Sequence, residues 1–74
     1  METHILDTSG LQCPEPVLKI AMKATELKEG EILEVIADCP TFEKDVKKWC
    51  DRLKKTILFI QDCGDGKMKC QIKF

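Results

Sequence analysis

Apolar and polar positions along the chain change period several times, and each change marks an element. His4-Ile5-Leu6-Asp7 reads as a short first strand that runs into a Thr8-Ser9-Gly10 turn. From Pro14 the apolar residues Val17, Ile20, Ala21, Ala24 and Leu27 recur at steps of three and four, the spacing of one helical face. Lys19, Lys23, Glu26 and Lys28 fill the outer face, and Glu29-Gly30 predicts the helix end. Ile32 to Ala37 is short and β-branched, as expected of a well-buried strand. Asp38-Cys39-Pro40-Thr41 opens a second helix with Thr41 as its cap, and Phe42, Val46, Trp49, Cys50 and Leu53 form its apolar stripe. Thr56 to Gln61 reads as a third strand, whose run Ile57-Leu58-Phe59-Ile60 predicts burial on both faces or a central position. After a Gly64-Asp65-Gly66-Lys67 hairpin turn, the last strand alternates, with Met68, Cys70, Ile72 and Phe74 on one side.

The order β-α-β-α-β-β, with one apolar stripe per helix, predicts an α+β fold. Its economical form is a two-layer α/β sandwich: a four-stranded mixed sheet with both helices on one face. The 74 residues form one domain, 1–74. A chain this short buries only about 60 to 65% of its unfolded surface, which leaves room for a surface site and not for a large enclosed one.

The 12 basic and 13 acidic residues nearly balance, which points to neither nucleic acid nor membrane. Met1-Glu2-Thr3-His4 does not resemble a signal peptide and no apolar run is long enough to span a bilayer, so a cytoplasmic location is expected. Five cysteines are many for this length, but the number is odd. In a reducing compartment most are expected as free thiols. Cys13, Cys39, Cys50, Cys63 and Cys70 lack the close pairing of zinc or iron–sulfur ligands, so neither metal nor cofactor is expected.

Candidate chemistry gathers at Cys13-Pro14-Glu15-Pro16. Proline is tolerated in a first helical turn, so Cys13 reads as the N-cap, Pro14 as the first helical residue and Pro16 as the third. A sulfur there lies near the positive end of the helix dipole, which favours the nucleophilic thiolate. Glu15 opposes that charge and the prolines remove amide donors, so the depression is modest and presentation matters more than acidity. Gly10 precedes the motif and supplies the turn. Cys39-Pro40 repeats the Cys-Pro arrangement at the second helix, and parallel β-α units bring both helix starts to the same end of the sheet. Cys39 is therefore a possible second thiol. Cys50 and Cys70 read as core residues, and Cys63 is expected opposite Met68. His4, at the far end of its strand, is too distant to serve Cys13 as a base, and no Cys-His-Asn set is otherwise available.

Leu6-Asp7, Gly10-Leu11, Cys13-Pro14-Glu15-Pro16-Val17, Gly30, Asp38 with Pro40, Asp45 and Trp49-Cys50 together resemble the TusA/SirA/YedF family of small sulfur-carrier proteins. The resemblance covers essentially the whole chain. It implies a fold similar to the C-terminal domain of a translation initiation factor, and Cys13 as the cysteine that accepts sulfane sulfur as a persulfide. It implies two protein partners, a sulfur donor such as a cysteine desulfurase and a downstream acceptor, with no membrane and no direct nucleic acid. The relay ends in tRNA 2-thiouridine in one branch and in other sulfur-trafficking routes elsewhere. The chain departs from the pattern at Cys39, where Asp is common, at Lys47 or Lys48, where Pro usually precedes the Trp, and at Lys54-Lys55, where Gly usually ends the helix. Two other classes stand beside the carrier. One is a thiol redox sensor using Cys13 and Cys39; the other is a non-catalytic regulatory or RNA-binding module using Lys44, Lys47, Lys48 and Lys55.

Overall fold

The computed structural model describes residues 3–12 and 15–74. Its elements are β1 (Thr3–Asp7), α1 (Glu15–Ala24), β2 (Ile32–Ala37), α2 (Phe42–Leu53), β3 (Thr56–Gly64) and β4 (Lys67–Lys73). The strands form one sheet in the order β1-β2-β4-β3. β1 runs parallel to β2, and β4 is antiparallel to both β2 and β3, so the sheet is mixed as the element order predicts.

Both helices lie on the same face. Ile20 of α1 and Phe42, Val46 and Cys50 of α2 pack with Leu33, Val35 and Ala37 of β2 and with Cys70 and Ile72 of β4, all nearly or fully buried. The alternation in β4 places Met68, Cys70 and Ile72 on that core face. β2 alternates too: Leu33, Val35 and Ala37 are buried while Ile32, Glu34 and Ile36 are half-buried on the open face. The strand is well buried, as expected, on the one face that the helices cover.

A larger correction concerns β3, which is an edge strand, while β4 occupies the interior position. The register shifts between Ile57 and Phe59, where Ile57 pairs with Ile72 and Phe59 with Gln71. The extra residue, Leu58, resets the alternation, so Ile57 and Ile60 both pack against the core. Leu58 and Phe59 remain 44% and 38% exposed. Four consecutive apolar residues thus arise from a bulge and not from two covered faces.

Helix α1 ends at Ala24, well before Gly30. Thr25, Glu26 and Leu27 amides reach back only three residues, to Met22, Lys23 and Ala24, and the Thr25 hydroxyl donates to the Met22 carbonyl at 2.8 Å. That hydroxyl bond competes with continuation of the helix. Gly30, at φ 92°, instead turns the chain into β2, and its amide donates to the Phe74 carbonyl at 2.7 Å.

Thr41 occupies the N-cap of α2, but its side chain makes no capping bond. Its hydroxyl donates to Asp45 Oδ2 at 2.9 Å instead. Leu53, placed in the apolar stripe by spacing, is 47% exposed in the last turn. Lys54 closes α2 in the left-handed region (φ 59°, ψ 38°), with the Lys55 amide donating back to the Cys50 carbonyl. This is the position where glycine would be unstrained. At the β3–β4 hairpin, Asp65 and Gly66 both have positive φ, as an Asp-Gly turn requires.

Candidate functional site

The site is built on the segment between β1 and α1. Thr8, 1% exposed, leaves the end of β1, and both its amide and its hydroxyl donate to the Ile36 carbonyl at 2.7 Å. The Ser9 amide donates to Asp7 Oδ1 at 2.9 Å, and the Leu11 amide returns to the Thr8 carbonyl at 3.2 Å. Bonds from Ser9 hold the Asp7 carboxyl below its ordinary value. The turn needs positive φ at its third residue, and Gly10 supplies it at 87°. No neighbouring atom lies where a Cβ of Gly10 would stand, so glycine is required there for its backbone angle and not for space.

The Gly10 amide donates to the carboxylate of Asp38, at 2.9 Å to Oδ2 and 3.1 Å to Oδ1. Asp38 follows β2, so this bond ties the loop before the motif to the loop before α2. The sequence placed Asp38 at the start of the second helix and in the family resemblance, and Thr8 in a turn, but gave neither a part in holding the site. A carboxylate directly after a strand, at the same sheet end as a Gly-bearing turn, was the available signal for the clasp.

Cys13 and Pro14 lie outside the described residues, and so does the expected N-cap arrangement. Their neighbours are placed. The Glu15 amide donates to the Gln12 carbonyl at 2.8 Å. Glu15, the first residue of α1, is exposed, and Pro16 is buried against the core. Leu18 and Met22, one turn apart on α1, are 57% and 64% exposed. They form an apolar pair outside the stripe that faces the sheet, and the sequence stripe did not single them out.

The other cysteines separate by environment. Cys50 and Cys70 are buried and free, and burial pushes their thiols up to about 11 and about 12, where the nucleophilic thiolate is scarce at neutral pH. Both fulfil the core reading. Cys63 is exposed and free. It does not sit opposite Met68: that partner is Asp62, and Cys63 falls at a second register shift before Gly64. Cys39 is 5% exposed, 3.6 Å from the Thr41 hydroxyl, and is disulfide-bonded. Among the described cysteines most are free, as expected, and Cys39 is the exception.

His4 stands at the opposite end of β1 from the site, where its Nε2 lies 2.8 Å from Glu31 Oε2. That bond, followed by one from the Lys28 amide, holds the Glu31 carboxyl below its ordinary value. Two of the lysines read as the outer face of the second helix have partners, Lys47 within α2 and Lys55 just beyond its end. Lys47 pairs with Glu43 at 2.8 Å, and Lys55 lies 5.1 Å from the centroid of the Phe74 ring.

These features define a small two-layer α+β domain with a cysteine motif between β1 and α1. A crystal structure of a SirA-like protein from Desulfitobacterium hafniense has the same fold, with a TM-score of 0.82 at 22% identity, covering 99% of this chain and 96% of that one. The family described as "Sulfurtransferase TusA" matches residues 4–73, and the chain belongs to that family. It is 36% identical over 72 residues to a provisionally named sulfur carrier protein of Aquifex aeolicus. That alignment takes in 97% of this chain but spans only 36% of the relative's length.

Proposed function

We propose that this chain carries sulfane sulfur as a persulfide on Cys13 and hands it to a partner protein. The reading rests on one observation above the rest: the family match runs through the Cys13-Pro14-Glu15-Pro16 motif, in a chain where Cys50 and Cys70 are buried and held protonated. The donor is proposed to be a cysteine desulfurase. The Cys13 thiolate attacks the outer sulfur of the donor's persulfide, the donor thiolate leaves, and Cys13 bears the new persulfide. A second partner's thiolate then repeats the step on the carrier. No base within this chain is needed, since the partner's active site handles the protons.

Two features of the described structure support the reading. The clasp between Gly10 and Asp38 ties down the turn that precedes the motif, and exposed Leu18 and Met22 offer an apolar contact on the helix that follows it. The endpoint to test first is a tRNA 2-thiouridine relay in the cytoplasm, with other sulfur-trafficking acceptors after it.

Incubation with a cysteine desulfurase and cysteine is expected to add the mass of one sulfur to the intact protein. Cys13→Ala is expected to remain unmodified. No adduct on the wild-type protein, or an undiminished adduct on the variant, would refute the proposal.

A further inference from the structure

The loop after β2 holds a cysteine that the carrier chemistry above does not use. Cys39 is 5% exposed, so it is a poor target for a persulfide held in another protein's active site. Its neighbour Asp38 is bonded to Gly10, and Cys13 follows Gly10 by three residues. The clasp thus joins the loop that holds Cys39 to the turn that precedes the motif. Of the chain's five cysteines, Cys50, Cys63 and Cys70 are free, whereas Cys39 is disulfide-bonded.

From this placement we infer that Cys39 is the resolving thiol of the carrier, discharging an unclaimed persulfide on Cys13 as hydrosulfide. The inference rests on the persulfide reading above. The Cys39 thiolate attacks the sulfur of Cys13 that is bonded to the sulfane sulfur. The bond between the two Cys13-borne sulfurs breaks, the Cys13–Cys39 disulfide forms, and the electron pair departs on hydrosulfide. Cys39 is oxidised and the sulfane sulfur is reduced, so no outside oxidant enters. A protein dithiol reductant returns the disulfide to two thiols by exchange. A carrier so equipped transfers sulfur when an acceptor is docked and releases it as sulfide when none is. Burial of Cys39 directs its reactivity toward its own chain.

The test begins with reduced protein, loaded by a cysteine desulfurase and cysteine, then freed of both and held without reductant. Sulfide is measured along with intact mass, and the cysteine-bearing peptides are mapped without reduction. Wild-type protein is expected to lose the added sulfur, release one hydrosulfide per persulfide, and join the peptide holding Cys13 to the peptide holding Cys39. The release should be first order and independent of protein concentration. Cys39→Ser, with Cys39→Ala as a second variant and thermal unfolding as the check on folding, is expected to load equally and keep its persulfide. Equal sulfide release from wild type and folded Cys39 variants overturns the inference, as does a loaded wild-type protein that releases none. Failure of the wild-type protein to load at all refutes the carrier reading itself, and this inference with it.

Discussion

Removing the Asp38 carboxylate tests whether the loop before Cys13 is held in place or merely drawn there. In Asp38→Ala the Gly10 amide loses both oxygens it now shares, at 2.9 and 3.1 Å. A hydrogen bond to a charged group contributes about 1.5–3 kcal/mol, and partial exposure of this carboxylate brings the loss to the bottom of that range or just below it, about 1–1.5 kcal/mol. One N–H divided between two oxygens counts once, and the exposed amide regains water when the carboxylate is gone. Against a total stability of about 4–11 kcal/mol for a chain of this length, the loss is measurable and not fatal. It corresponds to a fall in Tm of about 4–8 °C for each kcal/mol. Asp38→Asn keeps a neutral acceptor and is expected to lose about half as much. Amide hydrogen exchange followed residue by residue is the sharper assay, with protection at Gly10 falling about five- to tenfold in Asp38→Ala. Unchanged Gly10 exchange, or protection lost equally across the sheet, would refute a local clasp.

Lys54→Gly relieves a left-handed backbone worth about 1–2 kcal/mol and costs about 0.5–1 kcal/mol through the unfolded chain, so a net gain of about 0.5–1 kcal/mol is expected in urea unfolding; a loss would contradict the cap described for α2. Glu31 is held below its ordinary value of 4.5 by His4 and the Lys28 amide. Its share of stability is therefore present above that value and lost as pH falls through the lower folded value. Glu31→Gln should flatten the acid limb of stability against pH relative to wild type, and parallel curves would show that the contact contributes nothing. Under a thiol-alkylating reagent in native conditions, Cys63 should be modified readily while Cys50 and Cys70 react only after unfolding. Native-state labelling of Cys70 would contradict its place in the core.

The element order, the alternation of β4, the Asp65-Gly66 hairpin and the core roles of Cys50 and Cys70 were all legible in the residue pattern, because each rests on local periodicity or turn chemistry. What escaped depends on nonlocal choices. Apolar spacing through Leu27 is compatible with a longer helix, but the Thr25 hydroxyl and the need to turn at Gly30 end α1 at Ala24. The Ile57–Ile60 run carries no mark of its bulge, since the register depends on β4. Thr41 has the residue type of a cap, yet Asp45 one turn on captures its hydroxyl. At the site, the motif declares itself within four residues, but the Asp38 clasp joins segments 28 residues apart and exists only in the folded chain.

The central claim is that Cys13, and no other sulfur in the chain, takes up sulfane sulfur from a donor. It is met most directly by mapping the added sulfur after desulfurase loading, with immediate alkylation and tryptic digestion. Cleavage after lysine separates residues 1–19, which hold Cys13, from 29–44, which hold Cys39, and from the peptides bearing Cys50, Cys63 and Cys70. The account predicts the alkylated persulfide on residues 1–19 at the shortest loading times. First appearance of that sulfur on exposed Cys63, with residues 1–19 unmodified, would contradict it.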